Sequence, residues 1–119
     1  MRFYHATDPS SGLRLLNGEP LDLAQATASH IHPGAPIGFY LAEKLADAHV
    51  FGSYRGIYAV INVDMDGGTF RRLQTSGAIR RPIPGRPPPY FSGRELFIPP
   101  AAFGVFDDLR RTGDVHVHT

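Results

Sequence analysis

The chain has 119 residues, 42% hydrophobic and 19% charged, which excludes a disordered polymer and fits one folded domain with a modest core. A formal net charge of +1 excludes nucleic-acid binding driven by charge alone, and the absence of cysteine excludes disulfides and thiolate zinc sites. No apolar run is long enough to span a membrane and the N-terminus carries no signal-peptide pattern, so no membrane partner is expected.

Taken in chain order, Met1 to Thr7 is short, aromatic and closed by Asp8-Pro9-Ser10, which predicts a first strand. Ser10-Ser11 can cap a helical turn through Leu13, Leu15 and Leu16 that ends at Asn17-Gly18. Glu19 to Ser29 fits a strand or a loose helix equally, and His30 to Pro36 reads as a loop. Ile37 to Leu41 is a buried strand opened through Gly38. A short helix follows at once, with Leu41, Leu45, Ala48 and Phe51 at near-helical spacing. Gly56 to Met65 is β-branched and predicts a strand, and Asp66-Gly67-Gly68 a hairpin turn, with Thr69 to Leu73 returning antiparallel. Gln74 to Arg94, dense in proline, glycine and arginine, reads as one long loop. Glu95 to Ile98 is a strand stopped by Pro99-Pro100, and Ala101 to Phe106 and Asp114 to His118 supply the last strands. The expectation is a strand-rich α+β domain with helices towards the N-terminal half and mostly antiparallel pairing.

Three polar residues stand where these strands begin or end: His5, Tyr40 and Glu95. Singly, each has an ordinary structural explanation: a satisfied histidine, a core tyrosine, a solvated strand end. His30-x-His32 and His116-x-His118 each put two imidazoles on one strand face if extended, but no third ligand motif accompanies them, so no metal is expected. No phosphate-cradling glycine loop, nucleophile elbow or HExxH is present.

The ordered set Phe3-Tyr4-His5-Ala6-Thr7, Gly38-Phe39-Tyr40-Leu41-Ala42 with a helix to Phe51, and Gly93-Arg94-Glu95-Leu96-Phe97-Ile98 resembles the ADP-ribosyltransferase superfamily. The similarity is to its His-Tyr-Glu branch of diphtheria-type toxins and poly(ADP-ribose) polymerases, and it covers nearly the whole chain, 1–119, as one catalytic domain. It implies a split two-sheet β core with short helices and NAD, the substrate, in the cleft between the sheets. Cleavage of the nicotinamide–ribose bond passes through an oxocarbenium-like state, which calls for a carboxylate to offset developing positive charge. By resemblance this is Glu95. His5 would hydrogen-bond a ribose hydroxyl, and Tyr40 would stack on the nicotinamide, with Phe51 as a second aromatic wall. The Ala6 backbone would hold the carboxamide, assisted by the Thr7 hydroxyl.

Two positions depart from the family pattern. Ala6 replaces the usual glycine after the histidine, and Gly93 stands where arginine-modifying members carry an acid, so an acceptor other than arginine is implied. Arg80, Arg81, Arg86 and Arg94, with Tyr90 and Phe91 interleaved, read as a solvated loop, as an acceptor-binding edge for a protein or nucleic acid, or as a source of a pyrophosphate ligand. The implied activity is transfer of ADP-ribose to a macromolecule, as in a bacterial toxin or effector acting in the cytoplasm of producer or target cell, as part of a larger secreted toxin with a dedicated immunity protein. The alternatives are a small-molecule transferase of the rifamycin-inactivating kind, an NAD glycohydrolase, or an inactive binding module of the same fold.

Overall fold

The computed structural model describes residues 1–21, 36–54, 56–83 and 92–119. Among them the chain is mixed helix and sheet, with six strands in one antiparallel sheet of order β4-β5-β2-β1-β3-β6. The strands are β1 (Arg2–Thr7), β2 (Phe39–Ala42), β3 (Ala59–Met65), β4 (Ile79–Pro82), β5 (Arg94–Ile98) and β6 (Val115–His118). The helices are α1 (Pro9–Leu16), α2 (Leu45–Ser53), α3 (Gly67–Thr75) and α4 (Phe103–Thr112), the last preceded by a 3-10 turn over Pro100–Ala102.

Instead of two separate sheets, the structure has one sheet with a seam. β1 and β3 pair from Arg2↔Asp64 to Thr7↔Ala59, and β2 and β5 from Phe39↔Ile98 to Ala42↔Glu95. Between these halves, β1 and β2 share the single registered pair Tyr4↔Ala42. Right-handed strand twist accumulates across a sheet, and a one-rung junction lets the halves diverge without breaking longer ladders.

Side chains alternate across the sheet. One face presents Phe3, Phe39, Leu41, Val63, Met65, Leu96, Ile98 and Val115, all buried. Leu15 of α1, Phe70 and Leu73 of α3, and Phe103, Phe106 and Leu109 of α4 pack on these residues in one core, to which α2 contributes nothing. Asp107 and Arg110 fasten α4 to the N-terminal segment. Asp107 accepts from the Leu21 N–H at 3.1 Å, and Arg110 donates to the Glu19 and Leu15 carbonyls at 2.8 and 2.6 Å.

Several expectations are corrected. The cap of α1 is Asp8, whose carboxylate accepts from Ser11 N at 3.1 Å, not Ser10 or Ser11. Asp66 does not open a hairpin; it accepts from Thr69 N at 2.8 Å as the N-cap of α3, because Phe70 and Leu73, three apart, reach the core only from a helix. Residues 101–106 are not a strand, since Phe103, Phe106 and Leu109 share one helical face. The helix ends at Gly113, in the left-handed region at φ 84°. Helices therefore occupy both halves of the chain. The expected loop 74–94 contains the end of α3 and all of β4, while 84–91 lies outside the described residues, as do 22–35 and with them His30 and His32.

Candidate active site

The sheet order makes β5, β2 and β1 consecutive neighbours at its centre, so the strands carrying Glu95, Tyr40 and His5 lie side by side although they are remote in sequence. The registers Tyr40↔Phe97, Ala42↔Glu95 and Arg81↔Glu95 put Tyr40, Ala42, Glu95, Phe97 and Arg81 on the face opposite the core. The Tyr40 and Phe97 rings are 4.9 Å apart and tilted by 38°, and the Arg81 guanidinium lies 4.9 Å from the centre of the Phe97 ring. Arg81 Nε donates to Glu95 Oε2 at 2.9 Å. Glu95 is fully buried and Tyr40 nearly so, its hydroxyl donating to the Pro36 carbonyl. Burial, and then the Glu95 charge, raise the Tyr40 phenol above its ordinary value. The charge and hydrogen bond of Arg81 act in the opposite direction.

His5 is buried on the other face, its ring 4.2 Å from that of Phe39 in the core. It nevertheless touches the same strand, because His5 Nδ1 lies 2.8 Å from the Tyr40 carbonyl oxygen. A carbonyl only accepts, so Nδ1 carries the proton and, in the neutral ring, Nε2 is the acceptor. The imidazole thus bonds to β2 just past the rung where the β1–β2 ladder ends. The structure brings the Tyr40 and Glu95 side chains together and joins His5 to them through the Tyr40 backbone. Thr7 alternates to the His5 face and is buried, whereas half-buried Ala6 alternates to the Tyr40 face. Phe51 is half-buried near the end of α2.

Two glycines have steric reasons. A Cβ at Gly38 would overlap the Phe97 ring and fall 2.7 Å from the Ile98 carbonyl oxygen, so the residue before Phe39-Tyr40 must be bare for β5 to approach. A Cβ at Gly93 would lie 2.9 Å from Asp47 Oδ2 and 3.0 Å from Lys44 Cδ, so a side chain at Gly93 would push both neighbours aside.

Sequence reasoning missed Asp47 and misjudged the arginines. Asp47, in the first turn of α2 and buried, accepts from Ser92 N at 3.0 Å and Gly93 N at 2.9 Å. An acid in a first helical turn ordinarily serves its own helix, so nothing local signals that contact. Arg80 grips Glu43 through two hydrogen bonds of 2.9 and 2.6 Å, and Arg94 approaches the same carboxylate at 3.3 Å. Arg80 first, then Arg94, hold the Glu43 carboxyl below the usual range against its partial burial. With Arg81 on Glu95, these three arginines pair with carboxylates on β5 and just after β2, while Arg86, Tyr90 and Phe91 lie outside the described residues.

His116 and His118 do share a face of β6, their rings stacked 4.9 Å apart. His118 Nε2 lies 2.7 Å from Asp64 Oδ2, and Arg2 donates to the same carboxylate at 2.8 and 3.0 Å. Among the described residues no three histidine or carboxylate groups are arranged to hold a metal ion, and no helix is long and apolar enough to cross a membrane. No family model, curated protein or solved structure matches the chain.

Proposed function

We propose that the domain transfers ADP-ribose from NAD to a macromolecular acceptor with release of nicotinamide. The observation that carries the reading is the adjacency of β5, β2 and β1, which sets the Tyr40 and Glu95 side chains on one face and joins His5 to the same strand through the Tyr40 carbonyl. The residues suit the substrate chemically: a buried carboxylate, an imidazole with a fixed tautomer, and an aromatic ring on the carboxylate's side. In the reaction the ribose–nicotinamide C–N bond breaks and its electron pair neutralises the pyridinium nitrogen. The Glu95 carboxylate offsets the positive charge that grows on the ribose, and an acceptor nucleophile then forms the new glycosidic bond and loses a proton. His5, positioned by its Nδ1 bond to the Tyr40 carbonyl, would hydrogen-bond a ribose hydroxyl.

A second reading, an inactive module of the same fold, draws on the Arg81–Glu95 pair, which engages the carboxylate the reaction needs, and on Ala6. Nicotinamide release separates the two. Purified protein incubated with NAD and either cell protein or RNA is expected to release nicotinamide, and Glu95→Gln to lower the rate by roughly 10²–10³-fold while keeping its fold. A folded wild type that binds NAD without releasing nicotinamide would favour the inactive module. One that does neither overturns the transferase reading.

A further inference from the structure

We propose that Asp47 is a positioning residue for Glu95, a role that rests on the transferase reading and extends it to a residue outside its motifs. Asp47 is buried to within 2% of full exclusion from water, on a turn whose N-cap, Lys44, makes no side-chain capping bond. Its carboxylate turns away from its own helix and accepts two backbone N–H groups, those of Ser92 and Gly93. Both precede the first ladder pair of β5, Pro82↔Arg94, so no strand partner holds them in register.

The same short segment grips the chain twice more. Lys44 Nζ donates to the Ser92 carbonyl at 3.2 Å, and Glu43 N donates to the Arg94 carbonyl at 2.9 Å. Glu95 is the next residue, and Tyr40 lies just before the segment on β2. A slip of one residue in a strand turns every side chain to the other face. The Asp47 clamp fixes the entry to β5 at Ser92 and Gly93. It adds to the β2 and β4 ladder pairs that set the face of Glu95, and so holds the distance from Tyr40 at which its carboxylate stands. Gly93 is the matching half of the device, since its missing Cβ is what lets Asp47 Oδ2 come within 2.9 Å of the Gly93 nitrogen.

Asp47→Asn tests this by turning one acceptor oxygen into an N–H₂ donor facing another donor. The expected result is a kcat for nicotinamide release lowered by about ten- to a hundredfold, NAD affinity by calorimetry kept within about twofold, and a moved Glu95 carboxyl ¹³C signal. Gly93→Ala attacks the contact from the other side and serves if Asp47→Asn does not fold; it is expected to give the same split of kcat against affinity. An unchanged kcat per folded molecule with an unmoved Glu95 signal overturns the proposal. A wild type that releases no nicotinamide, beside an Asp47→Asn that still moves the Glu95 signal, overturns the transferase reading and leaves the clamp standing.

Discussion

Two arginine–carboxylate pairs cross neighbouring strands of the same sheet in direct register, Arg2↔Asp64 in the β1-β3-β6 half and Arg81↔Glu95 in the β4-β5-β2 half. The first has the better geometry, with two hydrogen bonds of 2.8 and 3.0 Å, and both its side chains meet water, at 49% and 32% exposure. The second includes an Arg81 Nε–Glu95 Oε2 bond of 2.9 Å, and its carboxylate is entirely enclosed. An exposed pair is nearly neutral for stability and needs no special reason to exist. Enclosing a carboxylate costs desolvation that an exposed one escapes, and replacing a buried ion pair by apolar residues is often neutral or stabilising. Burial, rather than pairing, therefore distinguishes the candidate site from the ordinary surface of the same sheet.

The comparison can be broken most directly at Arg81. Arg81→Met removes the guanidinium from an enclosed charge and is expected to destabilise the protein by about 3 kcal/mol in urea unfolding. The double variant Arg81→Met with Glu95→Leu should recover most of that loss, as it would not if Arg81 acted only through packing on Phe97. A smaller effect is expected in acid. The Glu43 carboxyl is depressed in the folded state, so its contribution is complete above the ordinary carboxylate range and disappears as pH falls through the folded value. Relative to wild type, Glu43→Gln should lose about 1 kcal/mol at pH 7, and the two melting curves should approach each other as pH falls below the ordinary carboxylate range. The smallest change belongs to the exposed pair. Asp64 is likewise depressed, first by the Arg2 hydrogen bond and further by His118, yet Asp64→Asn should cost only a minor fraction of the Arg81→Met effect in the same unfolding measurement. An Asp64→Asn loss equal to that of Arg81→Met would abolish the distinction.

The site strands were legible because their signals are local. The apolar alternation of Arg2–Thr7, the Gly38-Phe39-Tyr40 run and the Glu95 to Ile98 run each name a strand within a few residues of its observed bounds. Asp66-Gly67-Gly68 misled because aspartate before glycine is both a turn and a helix cap; only the core beneath Phe70 and Leu73 decides. Ala101 to Phe106 misled because a short apolar run has no period until Leu109 is counted with it. Within the site, the identity and order of His5, Tyr40 and Glu95 could be read, but not that His5 alternates to the core face, since facing depends on register. Arg81 could be singled out but not its pairing with Glu95, and Asp47 could not be found, because their partners lie across segments with no periodic relation to them.

The seam has a mechanical meaning. Along the strand ladder the two halves of the sheet are joined by one registered pair, Tyr4↔Ala42, and by the His5 side chain bonded to the Tyr40 carbonyl. Because a carbonyl only accepts, the His5 Nδ1 proton lies in this bond. Tyr40 of the candidate site stands on the strand that borders the seam. Any ligand that touches both His5 and Tyr40 therefore staples one half-sheet to the other, and its occupancy is registered by the whole molecule as resistance to heat.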